Sequence, residues 1–156
     1  MFRTGVRVGV DVGKARIGLA RSDPHGMLAT PVETVPRGTG DIARIVSVVH
    51  ELEATEVVVG LPLSLSGGRT PSTDDASGFA AQLARALPVP VRLVDERMST
   101  VTATQALRAS GRNSKNSRSV IDQVAAVIIL QHALDFERSA GNPPGELADP
   151  DEGLKA

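Results

Sequence analysis

Two apolar runs near the start of the chain constrain its fold more than any other feature, because only four residues separate them. Residues 7–12 (RVGVDV) and 17–22 (IGLARS) both have strand character, and the connecting GKAR is too short for a crossover. We therefore predict an antiparallel hairpin. A third strand is predicted over residues 28–35, where Pro31 favours a position at the edge of the sheet.

Helical and strand patterns alternate through the rest of the chain. The predicted elements are, in order, a helix from an N-cap at Asp41 to about Leu52, a strand at 56–59, a helix at 76–87, a strand at 89–94, a helix capped by Ser99 and ending near Ser110, and a helix at 119–138. Residues 111–118 are predicted to form a basic loop between the last two helices. Three consecutive strands followed by this alternation predict an α/β protein with a mixed sheet.

Five strands in this order resemble the ribonuclease H-like arrangement, a sheet of order 3-2-1-4-5 flanked by helices. We expect one such domain over residues 1–138. Residues 139–156 contain four acids and one lysine among Gly and Pro, and are predicted to be a disordered acidic tail. The whole chain has a net charge of −1, so the body without this tail is slightly basic.

The composition excludes several classes of protein. The chain has 156 residues and no cysteine, which rules out disulfide frameworks, zinc fingers, iron–sulfur sites and cysteine nucleophiles. Aromatic residues make up 2%, so the stacking of bases on an aromatic platform is not expected. No apolar run has the length of a membrane span and no signal peptide is recognisable, so we expect a cytoplasmic protein without membrane contact.

Three carboxylates stand out, two because they occupy otherwise apolar positions and one because it lies at the exit of a strand. Asp11 lies inside VGVDVG, and Asp122 lies on the apolar side of the last predicted helix. Glu96 follows Asp95 at the end of the last predicted strand, and alternation sends these two side chains to opposite faces. Three oxygen donors without cysteine are typical of a site for Mg²⁺ or Mn²⁺, the ions with which nucleases activate water.

Each carboxylate also has a purely structural interpretation. Asp11 fits a strand end that accepts hydrogen bonds from the GKAR turn, and Glu96 fits a surface ion pair with an arginine. Asp122 stands three residues after Ser119, where a capping box places its acidic member. The basic stretch at residues 108–118 likewise fits a solvated loop.

Four sequence blocks resemble, in order and spacing, the YqgF/RuvX family, whose members are described as Holliday junction resolvases and as pre-16S ribosomal RNA nucleases. The blocks are VGVDVGKARIGLARSD, VVVGLPLSLSGG, VRLVDERMSTVTA and VIDQVAAVIILQ, within residues 6–134. The resemblance implies a ribonuclease H-like, metal-dependent endonuclease that uses Mg²⁺ or Mn²⁺. It places the three acids of the family, as catalytic residues and metal ligands, at Asp11, Glu96 and Asp122.

The resemblance also implies where nucleic acid binds. The basic residues expected to contact its backbone are Lys14 and Arg16 in the turn, Arg97 in the DER block, and Arg112, Lys115 and Arg118 in the basic loop. The loop after the GLP turn at residues 60–62 is expected to line the groove. Glu96 follows the last strand, whereas wider ribonuclease H-like enzymes place the second acid beside the first, so one bound ion is an alternative to two.

The substrate stays open at this point. The leading interpretation is processing of the 5′ end of pre-16S ribosomal RNA, with ribosomal particles as partners; the alternative is a Holliday junction resolvase acting on branched DNA. A two-fold junction favours a homodimer, while RNA trimming is open to a monomer. A D-x-G before a hairpin also begins the actin and sugar-kinase ATPases, but those enclose ATP between two such domains. A non-catalytic binding module is disfavoured because all three acids are present.

Overall fold

Six strands form a single mixed sheet in the computed structural model, which describes residues 3–96 and 114–151, with side chains from residue 122 onward in the second segment. The strands are β1 (Arg7–Val12), β2 (Arg16–Ser22), β3 (Ala29–Pro36), β4 (Glu56–Leu61), β5 (Val91–Asp95) and β6 (Glu146–Leu147). Their order is β3-β2-β1-β4-β5-β6. The predicted order of the first five strands is confirmed, and a sixth strand is added at one edge.

Strand direction decides where the ends of the strands meet. β1 and β2 form the predicted antiparallel hairpin, with Asp11 opposite Gly18, and β3 pairs antiparallel with β2 at the edge. β1 runs parallel to β4, and β4 runs parallel to β5. The carboxyl ends of β1, β4 and β5 therefore lie at one edge of the sheet, which we call the carboxyl edge.

The helices divide the structure into layers. The described helices are α1 (Asp41–Glu51), α2 (Pro71–Ala86) and α3 (Ser114–Ala140). Side chains such as Val8 and Val10 point into the larger core beneath α1 and α2. The opposite face carries a smaller core against α3, which includes Val58, Ala126 and Leu130. Among the described helices, none is both long and apolar enough to cross a membrane.

Two helices begin at positions that differ from the predictions. Asp41 is the first residue of α1 and not its N-cap; Gly40, at φ 92°, occupies the cap position. Helix α2 begins at Pro71, five residues before the predicted start, with Thr70 as N-cap and Thr73 completing a capping box. The apolar periodicity used for the prediction starts only after this polar first turn, which the cap stabilises.

Helix α3 starts earlier than predicted, at Ser114 instead of Ser119. Lys115 and Arg118, predicted to lie in a loop, therefore belong to the first turns of a helix. A stretch of polar residues shows no apolar periodicity, so composition alone does not distinguish the first turns of a helix from a loop. Arg112 and the predicted helix at residues 99–110 lie outside the described residues.

The predicted disorder of the tail is wrong for residues 139–151. β6 pairs antiparallel with β5, and the Ala148 N–H donates to the Val91 carbonyl over 2.8 Å. The Arg92 guanidinium also reaches the Pro144 carbonyl, at 3.4 Å. An edge strand presents unpaired backbone groups, and this segment satisfies those of β5. Residues 152–156 lie outside the described residues.

Candidate active site

Successive side chains along a strand point to opposite faces of the sheet, so every second one lies on the face that packs against α3. A side chain at Gly9 would collide with Leu130 and Ala126 of α3, so Asp11, two residues later on β1, points to the same face. A side chain at Gly60 would collide with the Glu96 carboxylate and with Ile129 of α3. The Glu96 and Asp11 carboxylates therefore both lie on the α3 face, at the carboxyl edge.

Asp95 and Glu96 go to different surroundings, in agreement with the alternation of strand side chains. Asp95 is exposed, whereas Glu96 is partly buried over β4, where its N–H donates to the Leu61 carbonyl at 3.2 Å. The absence of a side chain at Gly60 provides the space that the Glu96 carboxylate occupies. Glu96 is thus the acid of this pair that faces α3.

Burial disfavours the ionised forms of the Asp11 and Glu96 carboxylates. Burial, together with the negative charge of Asp122, raises the pKa of Asp11 to about 6. Burial likewise raises the pKa of Glu96 to about 7, with contributions from the charges of Asp11 and Asp95. Among the described residues, no basic side chain offsets either charge. A cation bound beside them would favour the ionised form of both groups and lower both pKa values.

Asp122 is engaged with an arginine. Its carboxylate accepts a hydrogen bond of 2.8 Å from the Arg16 Nε, and the two side chains are 17% and 37% exposed, respectively. The backbone of α3 also approaches β2 closely here, since a side chain at Gly18 would overlap the Asp122 carbonyl. Arg16, predicted to contact nucleic acid, instead neutralises one of the predicted metal ligands in this structure.

The side chains of Asp11, Glu96 and Asp122 have the chemistry that a divalent cation requires of its ligands, but their arrangement fits such an ion less well. Hard carboxylate oxygens are the ligands that Mg²⁺ prefers, and an added cation would relieve the repulsion that raises the pKa of Asp11. However, no three acidic or histidine side chains within the described ranges converge closely enough to hold an ion together. Asp122 would complete such a site only after exchanging Arg16 for the ion.

The structure describes only some of the other basic residues that were predicted to bind nucleic acid. Lys14 is exposed on the β1–β2 turn, where its charge acts on Asp75 of α2. Arg97 and Arg112 lie outside the described residues, and the side chains of Lys115 and Arg118 are not described. The structure therefore places Asp11 where the charge of Asp122 acts on it and where its own charge acts on Glu96, with Arg16 paired to Asp122.

Arg37 supports the β1–β2 turn and was missed by the sequence analysis. One guanidinium nitrogen donates to the Gly13 carbonyl at 2.8 Å, and the group forms two hydrogen bonds with Asp75, at 2.9 and 3.0 Å. The Arg37 N–H donates to the Ala15 carbonyl at 2.9 Å, and the guanidinium lies 5.2 Å from the Phe79 ring centre. An arginine after a strand gives no sequence signal for such a role, because its partners are distant along the chain.

A ribonuclease H-like sheet with acids clustered at its carboxyl edge defines a class of nucleases, and the comparisons agree with this class. The chain belongs to the RuvX family: the model of that family, described as "Holliday junction resolvase", matches residues 5–136.

Similar proteins cover nearly the whole chain. A protein of Clavibacter michiganensis subsp. michiganensis named "Putative pre-16S rRNA nuclease" is 67% identical over 149 residues, covering 94% of this chain and 92% of its own. A protein of Streptomyces coelicolor with the same name is 60% identical over 148 residues, covering 93% of this chain and 89% of its own. The likeness therefore covers more than nine tenths of this chain, since the two matches cover 94% and 93% of it.

Solved structures share the fold at low sequence identity. RuvC of Thermus thermophilus in complex with a Holliday junction substrate superposes with a TM-score of 0.58 at 20% identity, covering 90% of this chain and 99% of that one. A second structure of Thermus thermophilus RuvC gives a TM-score of 0.55, also at 20% identity. These neighbours establish the ribonuclease H-like fold of the chain.

Proposed function

We propose that the protein is a divalent-metal-dependent endonuclease that processes the 5′ end of pre-16S ribosomal RNA in the cytoplasm. The observation that carries this proposal is the pair Asp11 and Glu96, two desolvated carboxylates without a described counterion at the carboxyl edge. Such a pair destabilises the folded protein unless a cation binds there. The names of the similar proteins support pre-16S ribosomal RNA as the substrate.

In this proposal, the three acids act as metal ligands. The chemistry that a bound Mg²⁺ or Mn²⁺ supplies is activation of a water molecule and neutralisation of the leaving oxygen. Asp11, Glu96 and Asp122 would hold the ion in their ionised forms, and Asp122 would exchange its hydrogen bond with Arg16 for the ion. The Arg16 guanidinium would then be available to a phosphate of the substrate. Arg37 keeps the turn that carries Arg16 attached to α2.

Binding of the RNA backbone falls to the basic residues. We assign this role to Lys14, Arg16, Arg97, Arg112, Lys115 and Arg118. Contacts of this kind hold the phosphates without reading the sequence, so affinity depends strongly on salt. Precursor RNA within ribosomal particles is the proposed substrate, acted on by a monomer or a homodimer.

Cleavage of branched DNA is the second candidate. The description of the family as Holliday junction resolvase favours it, and water activated by a bound metal ion attacks the phosphodiester bonds of DNA and RNA alike. A resolvase cuts two symmetric strands and so requires two sites in a dimer. The two candidates therefore differ in substrate and in oligomeric state, but not in the site.

The test is a side-by-side cleavage assay with Mg²⁺ or Mn²⁺. The wild-type protein and the variants Asp11→Asn and Asp149→Asn are each incubated with a 16S precursor leader RNA and, separately, with a four-way DNA junction. Asp149 follows β6 beside the start of β5, so its substitution controls for the loss of one aspartate. We expect RNA cleavage by wild type and Asp149→Asn, lost in Asp11→Asn. Symmetric junction cleavage with the same loss would establish the second candidate, and cleavage by Asp11→Asn would refute the site.

A further inference from the structure

Two of the basic residues proposed to bind the substrate backbone lie at the β1–β2 turn, Lys14 within it and Arg16 at its end. The Gly13 N–H donates to the Arg16 carbonyl at 2.9 Å, and this bond closes the turn. The Arg16 side chain lies toward α3, where it pairs with Asp122. The charge of Lys14 acts instead on Asp75 of α2. One basic residue of the turn therefore lies near each layer of helices.

A single residue, Arg37, holds two backbone carbonyls of this turn. It follows the last residue of β3, and its N–H donates to the Ala15 carbonyl at 2.9 Å. Its guanidinium donates to the Gly13 carbonyl at 2.8 Å. The two carbonyls belong to the residues directly before and after Lys14. Arg37 therefore fixes the backbone on both sides of Lys14, and its last contact is one residue before Arg16.

The Arg37 side chain is itself held by α1 and α2. Hydrogen bonds of 2.9 and 3.0 Å join its guanidinium to both oxygens of Asp75, a fork geometry that lysine does not reproduce. The Asp41 carboxylate lies 3.8 Å from the Arg37 Nε, and the Phe79 ring centre lies 5.2 Å from the guanidinium carbon. The side chain is 23% exposed. Two carboxylates already balance the charge of Arg37, so we assign it no phosphate contact of its own.

A turn that has its bound conformation before the substrate arrives binds more tightly than a mobile one. Basic side chains on a mobile turn lose conformational freedom when they bind phosphates, and this loss weakens the affinity. The contacts of Arg37 restrict the turn in advance and so reduce the loss for Lys14 and Arg16. The turn also follows β1 directly, so the same contacts hold it close in sequence to Asp11.

We propose that Arg37 is a positioning residue for substrate binding, which holds the β1–β2 turn in the conformation in which Lys14 and Arg16 contact the phosphates at the carboxyl edge. The proposal rests on the proposed nuclease function and deepens it by giving a role to a residue outside the basic set. Arg37 acts through the turn and does not touch the substrate. Its removal therefore weakens RNA binding only while Lys14 and Arg16 are present.

A double-mutant cycle for RNA binding tests this dependence. Fluorescence anisotropy measures the Kd of Asp11→Asn protein for the 16S precursor leader RNA at low salt, or for the four-way junction if wild type cuts that instead. We expect Arg37→Met to raise the Kd about three- to tenfold. After both Lys14 and Arg16 are replaced by methionine, the same substitution should change it less than about twofold. Arg37→Lys keeps the charge without the fork and should raise the Kd about threefold or more.

The matched control is Arg44→Met. Arg44 on α1 also forms two hydrogen bonds with one carboxylate, that of Glu33, at 2.9 and 2.6 Å. Its removal deletes one positive charge and one ion pair, as the removal of Arg37 does, but leaves the turn in place. We expect the Kd to change less than about twofold with and without Lys14 and Arg16. Thermal unfolding shows which variants are folded at the assay temperature, and Arg37→Lys supplies the comparison if Arg37→Met is not.

Cleavage by protein with Asp11 intact separates substrate binding from the reaction step. Arg37→Met should raise the RNA concentration that gives half the maximal single-turnover rate about three- to tenfold. It should change the rate at saturating RNA less than about twofold, because the turn contributes binding alone. A lower saturated rate at an unchanged half-saturating concentration overturns the proposal, since Arg37 would then act on the reaction step.

The binding measurements also have outcomes that overturn it. Full affinity in Arg37→Lys would mean that charge alone matters. An equal rise in Kd without Lys14 and Arg16 would mean that Arg37 contacts the RNA directly. If Arg37→Met behaves like Arg44→Met while wild type binds and cuts RNA, the positioning role fails and the nuclease stands. If wild type binds and cuts neither RNA nor junction, the nuclease function and the role of Arg37 fail together.

Discussion

Individual side chains at the candidate site work against the stability of the protein that carries them. Glu96 has a pKa near 7 and Asp11 near 6, so the folded state binds more protons than the unfolded state between about pH 4 and 7. The free energy of unfolding of the metal-free protein therefore falls as pH rises through this window.

Replacing Glu96 by glutamine should stabilise the metal-free protein at pH 8. The substitution removes a desolvated charge, so we expect a gain on the order of 1–2 kcal/mol, or a few degrees in Tm. The gain should vanish near pH 4.5, where wild-type Glu96 is protonated. Thermal unfolding in the presence of a chelator measures both. The exposed Glu146→Gln is the control, and a gain equal at both pH values would contradict the charge argument.

The same carboxylates predict how metal binding depends on pH. Protons and Mn²⁺ compete for Asp11 and Glu96, so the affinity for Mn²⁺ should fall at least tenfold between pH 8 and pH 6. Calorimetric titration of wild type should show this fall together with proton release at pH 7. Asp11→Asn should bind Mn²⁺ weakly at both pH values. An affinity independent of pH would mean that other groups hold the ion.

At the scale of elements, the approach of α3 to the hairpin depends on Gly18. A side chain there would overlap the Asp122 carbonyl, so Gly18→Ala must push α3 away from β2. We expect a loss of about 1–3 kcal/mol in the free energy of unfolding, measured in urea, and weaker Mn²⁺ binding because Asp122 moves with the helix.

The chain offers a matched control for this substitution. Gly78 lies in α2 with open space around its Cα, so Gly78→Ala should raise the free energy of unfolding by about 0.5–1 kcal/mol through helix propensity. It should leave Mn²⁺ binding unchanged. If both substitutions had the same effect, close contact between α3 and β2 would not be what Gly18 provides.

A buried charge cluster attaches α3 to the opposite end of the sheet. Arg3 donates to Glu137 at 2.6 Å and to Glu56 at 3.0 Å, while Arg7 and Arg92 approach the same two acids. Burial raises the pKa of Glu137, but hydrogen bonds and charges from Arg3 and Arg7 outweigh this effect and lower it. Its contribution to stability is therefore present at neutral pH and is lost as pH falls through its lowered pKa.

Removing one partner from this cluster should cost more than breaking an exposed ion pair. Glu137→Gln leaves the buried Arg7 without its carboxylate, and we expect a loss of about 2–4 kcal/mol in the free energy of unfolding. Asp74→Asn, which breaks the exposed pair with Arg69, should cost less than about 1 kcal/mol. Urea unfolding at pH 7 measures both. Comparable losses would show that the cluster does not tie α3 to the sheet.

Elements whose signal lies in local sequence were predictable. The four-residue connection predicted the hairpin, and the alternation of strands and helices predicted a mixed sheet. The order β3-β2-β1-β4-β5 came from the likeness of this pattern to the ribonuclease H-like arrangement. The start of α3 was not predictable because its first residues are polar and show no apolar periodicity, and strand β6 was not predictable because its partner is distant in the chain. β6 has only two residues and exists because the edge of β5 has backbone groups to pair.

The candidate site also contains features that local sequence predicts and features that it does not. Asp11 and Asp122 attract attention because each carboxylate interrupts an apolar pattern, and Glu96 because it lies at the exit of a strand; both signals are local. The pairing of Asp122 with Arg16 and the contacts of Arg37 with Gly13 join residues far apart in sequence. Side chains reaching across elements leave no periodic trace, so no reading of a single sequence finds them.

At the scale of the whole molecule, the net charge of −1 means that any affinity for nucleic acid comes from local clusters of basic residues. The described tail satisfies the edge of β5 and contributes Asp149 and Glu146, which keeps its acids with the folded body. The salt dependence of the affinity therefore measures how many basic side chains contact the phosphates of the substrate, and it does not depend on the net charge of the protein.

The number of proposed backbone-binding basic residues, six, sets an upper limit on how steeply the Kd for nucleic acid rises with salt concentration. Release of counterions by six contacts gives a slope of log Kd against log salt of about 5 for a duplex, and fewer contacts give less. Lys115→Ala should reduce the slope by about 1 and weaken binding equally for all sequences. Arg44→Ala is the control, since Arg44 lies on α1 and pairs with Glu33. Fluorescence anisotropy with Asp11→Asn protein measures the slopes. A slope unchanged by Lys115→Ala but lowered by Arg44→Ala would move the nucleic-acid surface to the α1 side of the sheet.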